Sequence, residues 1–182
     1  MGVLAVVLSA CAGVPVSPPA VYDFGLAPAD AAPASPPGNA PASLQVSAPA
    51  WLDGTAMLYR LAYGDGARLS SYRDSRWAAA PGALLRERLK QQVARAPGTP
   101  GAGVLRVEVE EFCQVFDTPE RSRGVVRLRA ALLEPGGGRM LRQAVFAADL
   151  PAATADAAGG AHALTQASDQ VLARTLAWAA AP

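Results

Sequence analysis

The sequence is short of the side chains from which most reactive sites are built. Its 182 residues include one histidine, His162, and two cysteines, Cys11 and Cys113. Lysine occurs once, at Lys90, and no Lys or Arg precedes Arg60. No apolar run reaches the roughly 20 residues of a membrane-spanning helix. A formal charge of +1 leaves no surplus of basic groups, which argues against a generic nucleic-acid binder. His162 has no Cys, Asp or Glu cluster at metal-ligand spacing around it and reads as a helix-surface residue. No Gly-x-Ser-x-Gly elbow occurs. The glycine-rich "EPGGGR" at 134–139 is followed by neither Lys-Ser, Lys-Thr nor a helix, so it reads as a hairpin turn rather than a phosphate cradle. No catalytic residue, cofactor or metal is expected, and nothing in the chain asks for an enzyme.

What is present begins at the N-terminus. Met1 to Leu8 is apolar apart from Gly2, the length of a signal-peptide h-region. "LSAC" at 8–11 has the form of a bacterial lipobox: a branched apolar residue, two small residues, then Cys. Cys11 is therefore the expected lipidation site and the first residue of the mature chain. An N-terminal segment that merely contains a cysteine is the weaker reading, because the tetrad falls where the apolar run stops. A signal peptide should open with Lys or Arg; none is present, so the true start codon is expected upstream. One acyl chain contributes about 0.8 kcal/mol per buried CH2 and binds only marginally, whereas the three of a mature lipoprotein anchor it stably. Ala12 is not the Asp of inner-membrane retention, so outer-membrane sorting is expected. "AGVPVSPPA" (12–20) is a Pro-rich extended spacer. Nine residues at about 3.3–3.6 Å each hold the domain some 30 Å from the bilayer at most. The division is thus 1–10 signal peptide, 11–20 lipidated terminus and tether, and 21–182 one domain with a low-complexity loop at 27–43. With Cys11 acylated, Cys113 has no partner for an intramolecular disulfide and reads as a small buried hydrophobe.

Periodicity organises the rest. "VYDFGL" (21–26) reads as a strand, and "LQVSAP" (44–49) and "TAMLYRLAY" (55–63) as two strands around the turn "WLDG". "ARLSSYRDSRW" (67–77) continues as a strand after "GDG". "PGALLRERLKQQVARA" (81–96) predicts a helix, with Pro81 in its first turn and an apolar stripe of Leu85, Leu89 and Val93. Long alternating strands are expected at 103–116, 122–134 and 139–150, then a helix from about 158 to 180 with Leu164, Val171, Thr175 and Trp178 along one side. In the first long strand the alternation slips at Glu110–Glu111, which predicts a β-bulge that returns Phe112 to the core face. Folding the hairpin about "DTPERS" sets Glu110 and Glu111 opposite Arg127, and Glu108 opposite Arg129. The arginines therefore read as a paired, solvated sheet face. The expected architecture is α/β (α+β): a two-layer sandwich with a mixed, largely antiparallel sheet and both helices on one face. A right-handed strand–helix–strand crossover through 81–96 is expected. The other sheet face either stays solvated or serves for assembly.

The order lipobox, "YDFGL", "MLYR", "RLSSYRDSRWAAAPGALLRERL", "LRVEVEEFCQVFD" resembles the ABC-type transport auxiliary lipoproteins, the PqiC-like family, over roughly 21–180. "YRDSRWAAAP" running into an amphipathic helix, then a strand ending "EEF", carries most of the likeness. The resemblance implies a non-catalytic lipoprotein of the outer membrane, facing the periplasm. Its implied partners are an ABC permease, its ATPase and an MCE-domain substrate-binding protein that move lipids between the two membranes. It also implies self-association into a homo-oligomer. Trp77 matches the family tryptophan at the strand-to-helix junction and is expected, with Phe112, to be a structural core anchor. Arg76 beside it pairs with Asp74 or reaches a partner. The alternative function is a structural or assembly lipoprotein of the envelope, without a transport role.

Overall fold

The structure is a computed structural model, and it describes residues 18–26, 41–95, 101 and 103–181. Cys11, most of the tether and most of the 27–43 loop lie outside these residues. Among them the elements run β1 (Ala20–Tyr22), β2 (Ser43–Ser47), a 3-10 turn (Ala50–Leu52), β3 (Ala56–Leu61), β4 (Leu69–Trp77), α1 (Pro81–Ala94), β5 (Val104–Thr118), β6 (Arg121–Leu133), β7 (Met140–Pro151) and α2 (Ala157–Ala180). The strands form one mixed, open sheet in the order β1-β4-β3-β5-β6-β7, with both helices on one face. This is the expected α+β sandwich.

β5 is the axis of the sheet. One of its sides carries β6 in antiparallel register from Val104↔Leu133 to Thr118↔Arg121. The other is shared end to end by two parallel strands: β2 pairs Val104–Glu108, and β3 pairs Gln114–Phe116. β2 and β3 were expected as neighbours around "WLDG", but they do not pair with each other. The short 3-10 turn instead carries the chain from one end of β5's edge to the other. β1 is also shorter than the predicted strand. The Asp23 carboxylate accepts the Gly25 N–H at 2.7 Å, and Gly25 takes φ 60°, which turns the chain out of the sheet after Tyr22. β4 runs antiparallel to β3, and β3 parallel to β5. α1 therefore joins strands of opposite direction, and the handedness rule for parallel crossovers does not apply to it.

The bulge lies where the alternation slips. Val109 pairs with Leu128 and Glu111 with Arg127, leaving Glu110 as the extra residue. Before it, Leu105, Val107 and Val109 face the helices; after it, Phe112, Gln114 and Phe116 do, and every one of these six is buried. Phe112 then completes an aromatic cluster, with ring centroids 5.5 Å from Trp77 and 6.1 Å from Phe24. Leu85 and Leu89 of α1 pack on this cluster.

α2 approaches the sheet more closely than large side chains would allow. Its buried face near the N-terminus is Ala157, Gly159, Gly160, Ala161, Ala163, Leu164 and Ala167, and β6 answers with Gly124. A Cβ at Gly124 would lie 2.6 Å from the Leu164 backbone nitrogen and 2.7 Å from the Ala163 carbonyl carbon. Asp156 starts the helix as N-cap, accepting from the Gly159 N–H at 2.8 Å and from the Thr154 hydroxyl. At the far end the Arg142 guanidinium on β7 donates to the Trp178 carbonyl at 2.8 Å and stacks over its indole, a cation where the helix dipole favours one. Gly124→Ala must push α2 off β6, because the obstructing atoms are backbone. The expected cost is about 1–3 kcal/mol, read as a lower urea midpoint at unchanged m-value.

Candidate partner-binding surface

The face of the sheet turned away from the helices is where the chain presents its charged side chains together. Bulging places Glu110 and Glu111 side by side on this face, and the two carboxylates take different partners. Glu110 accepts from Arg127 Nε at 2.8 Å and also binds Arg129. Arg129 Nε lies 4.0 Å from Glu108. Glu111 instead meets Arg60 of β3 at 3.5 Å. Toward the β5–β6 turn, Arg123 bridges Asp117 at 3.3 Å and Asp149 at 2.8 Å. The result is a ladder of alternating sign across β3, β5, β6 and β7. The hydrogen bond from Arg127, and then that from Arg129, hold the Glu110 carboxyl below the usual carboxylate range.

The expected site residues fall in different places. Trp77 and Phe112 are each 1% exposed, at the centre of the core. Cys113 points to the charged face yet is 0% exposed. Burial, and next the Glu111 carboxylate, push its thiol up to about 12, so it does not ionise near neutral pH. His162 is exposed on α2. Arg76 does not pair with Asp74, which Arg73 holds at 2.8–3.0 Å. Both of those residues protrude because β4 advances five residues, from Ser71 to Arg76, while β3 advances two. Cys11 lies outside the described residues.

Two buried polar clusters were not anticipated. The Tyr72 hydroxyl donates to Gln114 Oε1 at 2.9 Å, and Gln114 Nε2 donates to Ser122 Oγ at 2.7 Å and to the Asp156 carbonyl at 3.1 Å. This network ties β4, β5, β6 and the start of α2 together, and burial raises the Tyr72 phenol above its usual range. Gly160 exists to leave it room: a Cβ there would lie 2.0 Å from Gln114 Oε1. In the second cluster Arg88, 2% exposed, binds Asp169 of α2 at 3.3 Å and the Phe24 and Gly25 carbonyls. Burial pushes the Asp169 carboxyl up despite Arg88. Both clusters fasten elements together. Among the described residues no three His, Cys, Asp or Glu side chains gather as a metal site.

Because the Glu110 carboxyl titrates lower in the folded chain than in the unfolded one, its stabilisation is complete above the ordinary Glu value of about 4.3. It is lost as pH falls through the depressed folded value. Glu110→Gln is expected to lower the urea midpoint at pH 7 and to flatten its decline between pH 5 and 3. A decline as steep as that of the unaltered protein contradicts the assignment.

The fold has relatives among solved structures. A crystal structure of a protein from Xanthomonas campestris, described under the family model DUF330, is similar with a TM-score of 0.68 and 19% identity, covering 80% of this chain and 90% of that one. The crystal structure of an uncharacterized protein is similar with a TM-score of 0.61 and 18% identity, covering 86% and 95%. At these identities the likeness is one of fold. No curated protein matches the sequence. The family described as "ABC-type transport auxiliary lipoprotein component" matches residues 24–176, from the first core aromatic to the last turns of α2. Every strand but β1, all of α1, and α2 as far as Leu176 fall within that match, and the chain belongs to the ABC-type transport auxiliary lipoprotein family.

Proposed function

We propose that this chain is a non-catalytic lipoprotein of the outer membrane that serves an ABC/MCE-type transporter moving lipids or other hydrophobic compounds between the inner and outer membranes. In this reading residues 1–10 are removed, Cys11 becomes the triacylated terminus, 11–20 is the tether and 21–182 the working domain facing the periplasm. Its partners are an MCE-domain substrate-binding protein with its permease and ATPase. The observation that carries the reading is family membership across 24–176, joined to a lipobox that ends the preceding apolar run. Among the described residues no helix is long and apolar enough to cross a membrane; in this reading the acyl chains on Cys11 supply the attachment.

The surface suits a partner-binding role. Its Glu, Asp and Arg side chains neutralise one another on the open sheet face, and the thiol of Cys113 is buried beneath them. β7 ends the sheet, and its Met140, Leu141 and Val145 are exposed. An open edge strand with apolar side chains is a ready surface for strand-to-strand contact, which fits assembly of several copies into a homo-oligomer.

The test is purification of the full-length protein from detergent-solubilised envelopes, beside Cys11→Ser. The expected result is recovery of an MCE-domain protein with permease and ATPase, and a Cys11→Ser product that is soluble and lacks the acyl mass. A Cys11→Ser product that sediments at unchanged mass sinks the anchor. An acylated protein that brings down no MCE protein under mild conditions sinks the transport role and leaves a structural lipoprotein of the envelope.

A further inference from the structure

We infer that the β3–β4 turn, Ala62–Arg68, which carries the exposed Tyr63, is the part of the domain that faces the bilayer. This rests on the reading of Cys11 as the acylated residue, and follows from strand polarity and chain length. β1 runs parallel to β4, with Ala20 beside Ser75 and Tyr22 beside Trp77. The chain that precedes Ala20 therefore arrives from the side on which β4 begins, at Leu69. Pro18 and Pro19 come immediately before β1. Each has φ fixed near −65° and disfavours a helical bend before it, which keeps that approach extended.

Distances agree with this direction. Ala56 pairs with Arg76, one residue beyond Ser75, so Ala20 enters the sheet near the level of Met57. From there to the β3–β4 turn is about five residues of strand, or roughly 17 Å. The nine steps from Cys11 to Ala20 reach about 30 Å at most, enough to set the turn against the headgroups with slack. The opposite orientation is poorly served. Tyr59 pairs with Gln114, so β5 continues for about seven residues past the start of β3, roughly 23 Å further. The β6–β7 turn at 134–139 lies beyond that. A tether serving that end would have to reverse at Pro18–Pro19 and then climb past all of it.

The turn has the chemistry of a surface that rests on headgroups. Tyr63 is 50% exposed, and an aromatic ring with a polar tip suits the layer between acyl chains and water. Arg68, in the same turn, is exposed and matches lipid phosphate. The turn itself is well formed. Asp65 accepts from the Ala67 N–H at 3.1 Å, and Arg60 holds the Ala67 carbonyl at 3.1 Å.

The test uses the acylated full-length protein in phosphatidylethanolamine/phosphatidylglycerol vesicles that contain nitroxide-headgroup lipid. Single cysteines are placed at opposite ends of β3, as Gly64→Cys and Gly54→Cys. Both sites are exposed, with no atom nearer than 3.7 Å to the new Cβ. Buried Cys113 stays unlabelled. A fluorophore at Gly64→Cys is expected to lose most of its emission to the nitroxide while one at Gly54→Cys keeps most of its own. Vesicle flotation is scored in parallel. Protein that floats but is quenched equally at both positions, or more at Gly54→Cys, overturns the orientation alone. Protein that carries no acyl mass and does not float overturns the lipidation reading, and this inference with it.

Discussion

A single extra residue in β5 is the constraint on which the two sides of this molecule depend. A strand has a period of two, so fifteen uninterrupted residues would carry one parity from end to end. The sequence changes parity in the middle: apolar at 105, 107 and 109, then apolar at 112 and 116. Absorbing Glu110 as a bulge reconciles the halves. Phe112 then reaches Trp77, Gln114 reaches Tyr72 and the N-terminus of α2, and Phe116 lies 5.8 Å from Tyr59. The same step puts two neighbouring carboxylates on the opposite face, one for the arginines of β6 and one for Arg60.

The two faces are held by different physics. The helix-covered face is filled by aromatic and branched side chains, with a few buried polar groups placed where elements meet. The open face gains little from each ion pair, since exposed pairs are worth about 0–1 kcal/mol. Its ladder acts more on register. A slip of β6 by one residue would set Arg127 and Arg129 against the core and strip Glu108 and Glu110 of partners. A self-neutralised face with an open edge at β7 fits the partner-binding body proposed for this auxiliary component.

Much of this was legible because strands and helices announce themselves through local period. The β5–β6 hairpin, its bulge, the cross-strand charge pairs and the "EPGGGR" turn, with Gly136 and Gly137 at φ 86° and 77°, lie within a few residues of where the pattern puts them. What local pattern does not carry is partner choice. β2 and β3 both lie parallel along one edge of β5, an arrangement fixed by burial of Val46 and Met57 in a shared core and not by the turn between them. β1 ended early because Asp23 offered the backbone a turn that outcompeted the sheet. The register jump in β4 left no trace except the polar run "RDS". Two further signals in the sequence mark buried polar groups. Arg88 stands three residues after Leu85 and beside Leu89, inside the buried stripe of α1. Gln114 has the parity of Phe112 and Phe116, and so had to be buried and bonded. In α2 the repeated Gly and Ala resemble composition bias, but they are the surface that lets the helix close on Gly124.

The most direct measurement is the cooperative unfolding of a variant from which Glu110 alone is deleted. If the bulge sets both faces, removing it turns Phe112, Gln114 and Phe116 to the charged side, or else Leu105, Val107 and Val109. The near-UV signal of the packed aromatics and the cooperative thermal transition should both disappear. A deletion variant that keeps the near-UV spectrum and melts within a few degrees of the unaltered protein would contradict the account.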